Sequence, residues 1–110
     1  MPLTVKQLID SCGFTAAALP DPDREVSGVY IGDLLSWVMG RAGADEAWIT
    51  IMSNRNIVAV ATLADTACIV LAEGVVPDEG VAQLAADKGV NILQTPLSAY
   101  EIALALRDAL

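Results

Sequence analysis

Short apolar runs alternate along the chain with segments whose apolar residues recur every three or four positions, the pattern of strands joined by helices. Thr4-Val5-Lys6-Gln7 has the spacing of a capping box, in which the Thr hydroxyl and the Gln side chain satisfy free amides at a helix start. Leu3, Leu8 and Ile9 then give a short amphipathic helix, and Gly13 ends it as a residue able to turn left-handed. Phe14 to Leu19 predicts a short edge strand, and Pro20-Asp21-Pro22-Asp23 a loop. Val26 to Ile31 predicts the next strand. Gly32-Asp33 ends it, with Asp33 expected to cap a helix that carries Leu34, Leu35, Val38 and Met39 and closes at Gly40 and Gly43. Trp48 to Met52 is a further strand, and the polar cluster Ser53-Asn54-Arg55-Asn56 comes after it.

Ile57 to Ala64 is apolar all round, so its period alone fits a buried strand or a buried helix. Spacing decides. Ala67 to Ala72 reads plainly as a strand, and two parallel neighbours need a crossover of roughly a dozen residues. Residues 55–64 are therefore predicted to be the crossover helix. Glu73 to Pro77 is a loop; Asp78 is expected to cap a helix through Ala86 with Val81, Leu84 and Ala85 inward, and Gly89 ends it. Val90 to Leu93 is a strand, and Ser98-Ala99-Tyr100-Glu101 is a second capping box that opens a last helix with Ile102, Leu104, Ala105 and Leu106. Strands alternating with helices predict a parallel sheet covered on both faces, an α/β fold of three layers: an α/β/α sandwich with a mainly parallel sheet of 4-5 strands. Residues 1–110 are expected to form a single domain.

In such sheets ligands bind beyond the carboxyl ends of the strands. Gly32-Asp33, Ser53 to Asn56, Glu73-Gly74 and Gln94-Thr95-Pro96 are expected there. Two readings of that rim stand open. In one, Ser53 or Asn54 caps the outgoing helix and Arg55 pairs with Asp33 or Glu73. In the other, Ser53, Asn54, Arg55, Asn56, Gly74, Thr95 and Ser98 gather into a pocket for an anion such as a phosphate, helped by the positive partial charge of helix N-termini.

Composition narrows the chemistry. Hydrophobic residues make up 55% of the chain, much of it alanine, which lets helices and strands approach closely. The net charge of −8, with 6 bases against 14 acids, argues against nucleic acid and against an anionic membrane surface. No histidine is present, which removes the commonest general base and metal ligand. Cys12 and Cys68 are far apart and set among apolar residues, as buried free thiols would be in a reducing compartment. The opening MPLTVKQL lacks a basic region followed by an apolar run, so no signal peptide is expected, and no stretch approaches the ~18 apolar residues of a membrane span. A cytoplasmic protein is expected. Neither GxxxxGK[ST] nor a GxGxxG after a strand occurs. Asp21, Asp23 and Glu25 read as a solvated turn, Tyr30 and Trp48 as core or interface. No residue is a candidate for catalysis, and no metal or cofactor is expected.

Four pieces, in order, resemble the DRTGG domain, itself similar to the N-terminal domain of HPr kinase/phosphorylase. VSGVYIGDLLSWVM resembles its opening strand and helix, and WITIMSNRNIVAVATL the segment where an Asp-Arg pair succeeds a strand and starts a helix. ACIVLAEGVVPDEGVAQLAADKGVNILQTP resembles the strand, Gly turn, helix and strand that come next, and LSAYEIALAL the closing helix. Where the family often has Asp-Arg, this chain has Asn54-Arg55; where it often has Leu-Thr-Gly-Gly, this chain has Leu71-Ala72-Glu73-Gly74. The resemblance implies the same three-layer fold. It also implies an accessory role of the kind such domains have in larger proteins, CBS-domain pyrophosphatases and phosphate acetyltransferases among them.

The function expected on these grounds is a non-catalytic regulatory or interaction module that pairs as a homodimer, because a helix apolar all round needs cover on both sides. The alternative is a sensor that binds a small phosphorylated ligand or nucleotide at the strand ends. A protein encoded nearby is a further candidate partner.

Overall fold

The computed structural model describes residues 3–110; Met1 and Pro2, the start of the MPLTVKQL segment, lie outside the described residues. In chain order the elements are β1 (Leu3–Thr4), α1 (Val5–Cys12), β2 (Thr15–Ala18), β3 (Glu25–Val26), β4 (Gly28–Ile31), α2 (Leu35–Arg41), β5 (Glu46–Thr50), α3 (Asn56–Ala64), β6 (Cys68–Leu71), α4 (Val81–Lys88), β7 (Ile92–Gln94) and α5 (Ala99–Ala109). Five strands hydrogen-bond in the order β2-β7-β6-β5-β4, and β1 with β3 forms a separate two-stranded ribbon. β4, β5, β6 and β7 are parallel, and β2 lies antiparallel on the edge beside β7.

Alternation along each strand divides the core in two. In β6, Cys68 and Val70 join Ala47, Ile49 and Leu93 beneath α1 and α5, whose Leu8, Ile102 and Leu106 are fully covered. Ile69 and Leu71 point the other way, with Trp48 and Ile92, toward Val38 of α2, Ile57 and Val60 of α3, and Val81 and Ala85 of α4. The architecture is the expected α/β/α sandwich. Strands covered on both faces must read as unbroken apolar runs, and all four residues of β6 are buried. Both capping boxes form, Thr4 with Gln7 and Ser98 with Glu101. The crossover segment is helical, as the spacing between parallel strands requires.

The structure corrects several expectations. Val26 to Ile31 is not one strand: Val26 pairs with Leu3, Ser27 donates its N–H to the Asp45 carbonyl (2.9 Å), and Gly28 opens the pairing with β5. The N-cap of α2 is Leu34, without a side-chain bond, because the Asp33 carboxylate is drawn to the next strand, where it accepts from the Thr50 hydroxyl (2.8 Å) and the Ile51 N–H (3.0 Å). Asp78 does not cap α4 either; the N-cap is Gly80, and the Asp78 carboxylate accepts from the Ser53 hydroxyl at 2.8 Å. In both cases a long-range partner has taken the carboxylate from the local amide. Cys68 is buried, but Cys12 on the flank of α1 is only partly so. Nor does α3 lack cover: α2 and α4 flank it, and its outward strip holds Arg55, Asn56, Ala59, Thr62 and Leu63. Trp48 is core, and its indole N–H donates to the Gly32 carbonyl at 2.8 Å.

Among the described residues no helix is long and apolar enough to cross a membrane.

Candidate functional site

Beyond the carboxyl ends of β4 to β7 the polar residues chiefly hold one another. Asp33 ties the end of β4 to β5. Ser53 ties the end of β5 to the approach to α4, through its hydroxyl to Asp78 and through its carbonyl, which accepts the Asp78 N–H at 2.9 Å. The Asn54 carboxamide oxygen accepts the Asn56 N–H (2.9 Å), an Asx turn that starts α3 without a formal cap. After β6, Glu73 and Gly74 both turn left-handed, at φ 62 and 76. Their amides face inward: Glu73 N–H donates to the Leu97 carbonyl (2.8 Å) and Gly74 N–H to the Thr95 carbonyl (3.0 Å). The buried Thr95 hydroxyl accepts the Leu97 N–H at 3.3 Å, and Ser98 is occupied by its capping box.

Of the seven residues predicted to share a pocket, Gly74 and Thr95 line one hollow, of about 120 Å³, with Thr15, Val75, Gln94 and Pro96. Ser53, Asn54 and Ser98 serve the backbone and each other's loops. Arg55 and Asn56 face elsewhere, into a groove of about 490 Å³ between α3 and α4, where Val58, Ala59, Thr62, Leu63, Leu84 and Lys88 complete the lining. The expected pairing of Arg55 with Asp33 or Glu73 is absent, and among the described residues no carboxylate lies within ion-pair distance of its guanidinium. An adjoining hollow of about 150 Å³ shares Arg55 and Leu84 with Glu79, Gly80 and Val81. Sequence reasoning missed the groove. A trace of it lay in Arg55, Ala59, Thr62 and Leu63, which recur at helical spacing on one face.

A second missed feature is apolar. Ile31, Leu34, Trp37, Met39 and Ile51 are each about half exposed or more, and all belong to the ends of β4 and β5 or to α2. The Arg41 guanidinium stacks 3.7 Å above the centre of the Trp37 ring. The signal was an excess: the segment from Val29 to Met39 carries more apolar positions than one helix face and one strand can bury.

At the opposite, amino-terminal rim, Arg24 bridges Asp45 (2.7 Å) and Asp65 (3.1 Å) and reaches the Asp65 carbonyl at 2.7 Å. Partial burial works against its charge, yet the hydrogen bonds it donates to the two carboxylates, with their negative charge, outweigh this and raise its pKa. Both aspartates hold left-handed backbone, at φ 66 and 59, so the cluster pins the turns into β5 and β6. Burial also pushes up both thiols, Cys68 to about 12. A buried neutral thiol is inert. Among the described residues no group of three or more Cys, Asp or Glu is placed to hold a metal ion.

The family model described as the DRTGG domain matches residues 21–109. No curated protein matches the chain. Among solved structures, the chain is similar to the CBS and DRTGG domains of the regulatory region of Clostridium perfringens pyrophosphatase, complexed with the activator diadenosine tetraphosphate. The TM-score is 0.79 at 13% identity, over 97% of this chain and 47% of that one. This chain thus spans about half of that region, and at such identity the likeness is one of fold.

Proposed function

The chain belongs to the DRTGG domain family, and on that premise we propose that it is a non-catalytic regulatory and interaction module that works as a homodimer. The observation that carries this reading is the apolar patch around α2. Of the nine large hydrophobic residues exposed among those described, five lie on α2, at its N-cap, or at the ends of β4 and β5. Water-exposed apolar surface gathered in one place marks an interaction site, whereas single exposed residues are ordinary. Ile31 ends β4, which is an edge strand of the sheet, so part of this apolar surface lies at that margin. A two-fold pair would set identical patches against each other, the commonest way for a chain to cover itself. The buried thiol of Cys68 fits a reducing compartment and with it a cytoplasmic module. Light scattering across micromolar concentrations tests the pairing. Twice the chain mass is expected, and a monomer throughout would end this reading.

A second reading, a sensor for a small phosphorylated ligand or nucleotide, is favoured by the unpaired Arg55. The regulatory region that shares this fold was bound to a nucleotide activator, which lends the reading further support. Of the rim residues Ser53, Asn54, Arg55, Asn56, Gly74, Thr95 and Ser98, Arg55 and Asn56 have side chains turned to the exterior and would make first contact. Thermal unfolding against nucleotides and sugar phosphates tests it: stabilisation that grows with ligand concentration is expected, and a flat response across the panel would end it.

A further inference from the structure

Resting on the sensing reading, we propose that the groove between α3 and α4 binds an organic phosphate of mononucleotide size, with the phosphate at Arg55 and an apolar body along the floor. The volume, about 490 Å³, lies within the ~300–1,000 Å³ range of small-molecule sites. The floor is made by Val58, Ala59, Leu63 and Leu84, and the small, exposed Ala59 gives it depth. Thr62 adds no free donor, since its hydroxyl donates to the Val58 carbonyl at 2.9 Å.

Charge selects the ligand. On a chain of net charge −8, the only charged residues lining this groove are Arg55 and Lys88, and no acid joins them. Elsewhere Arg24 and Arg107 are ion-paired and Arg41 is stacked on Trp37. Glu79 shares a neighbouring hollow with Arg55 but is not within ion-pair distance of it. Two cations with no acid beside them select an anionic ligand over a neutral or cationic one. Their placement sets its length. Each of the two helices leaves one strand of the parallel sheet and leads back to the next, so they run side by side in the same direction. Arg55 stands at the start of one and Lys88 ends the other, with a floor about 12 Å long between them at ~1.5 Å per residue. The amino end of α3 adds positive partial charge beside Arg55, which is why the phosphate belongs there rather than at Lys88. Because α2 packs on the other flank of α3, pairing through the α2 patch leaves the groove open.

The test is a titration of the ¹⁵N-labelled full chain, monitored residue by residue in NMR spectra, with adenosine monophosphate, adenosine and inorganic phosphate. The monophosphate is expected to move amides in 55–63 and 84–88 and to bind at least about tenfold more tightly than adenosine or phosphate alone. Arg55→Ala should weaken it at least about tenfold. Ala59→Leu, at an exposed position that leaves the core untouched, should weaken it comparably by filling the floor. Shifts confined to Thr15, Gly74 and Thr95 and indifferent to both variants would overturn the groove and leave sensing at the rim in place. No shift with any probe at millimolar concentration would overturn the groove, and a flat thermal panel would then remove sensing as well.

Discussion

Replacing Leu34 by Asn separates pairing from folding. Leu34 is the N-cap of α2, extended at φ −81 and ψ 104, with no side-chain bond to the helix, and it is 58% exposed. Full burial of a leucine stabilises by about 2.5 kcal/mol, so cover by a second copy is worth about 1.5 kcal/mol for the exposed part. Across a two-fold axis the change occurs on both sides and costs about 3 kcal/mol, roughly a hundredfold in the dissociation constant. Within one chain the signs differ. Loss of the buried remainder costs about 1 kcal/mol, and a carboxamide at the cap contributes about 1 kcal/mol by accepting a free amide of the first turn. Leu34→Asn should therefore unfold in urea close to the parent midpoint while dissociating about a hundredfold more readily, as a sedimentation-velocity dilution series would show. If the variant keeps its fold and its dissociation constant stays within about threefold of the parent, Leu34 is not in the interface and the area argument fails.

Asn91→Ala should be far more damaging than its single side chain suggests. The buried carboxamide donates to the Asp21 and Ala67 carbonyls and accepts the Asp21 N–H, so about 3 kcal/mol should be lost and Tm should fall by more than about 10 °C; a fall under about 3 °C would show the loop held otherwise. A disulfide-exchange reagent should modify Cys12 but not Cys68 in the folded chain; modification of both at equal rates would contradict the burial of Cys68. Folding raises the Cys68 pKa from 9.0 to about 12, so the folded state holds the proton more tightly. The resulting stability is full below pH 9.0 and is lost as pH rises toward about 12, which urea midpoints measured across that range should reveal against a Cys68→Ala control. Gly74→Ala should cost about 1 kcal/mol although nothing lies within 4 Å of the new Cβ, because the backbone there is left-handed at φ 76. Glu73→Gly should stabilise by a few tenths of a kcal/mol for the same reason, and a loss of stability would show that the Glu73 side chain contributes.

The rim was legible as a place and not as a set of contacts. Ser53, Asn54, Gly74, Thr95 and Ser98 do stand where β5, β6 and β7 end, as a parallel sheet requires. The use each makes of its hydrogen-bonding groups was not legible. Asp33 and Asp78 look like helix caps because each precedes a helix, yet Thr50, Ile51 and Ser53 come near them only when neighbouring strands are in register. Arg55 went the same way. A helix start lies between the rim and the outer helix layer, and a rotation of less than one turn sends the side chain to either side.

Local chemistry carried the capping boxes, the crossover helix, the left-handed stop at Gly13 and the run of strands buried on both faces. Each depends on backbone sterics and on residues a few positions apart, and those distances are written in the chain. The α3–α4 groove, the α2 patch and the partners of the rim carboxylates depend on which helix lies beside which, and on how much of each apolar face its neighbours leave uncovered. Those are quantities of three-dimensional packing. Segments as far apart as Asp21 and Asn91, or Arg55 and Lys88, meet only once the sheet order β2-β7-β6-β5-β4 has formed.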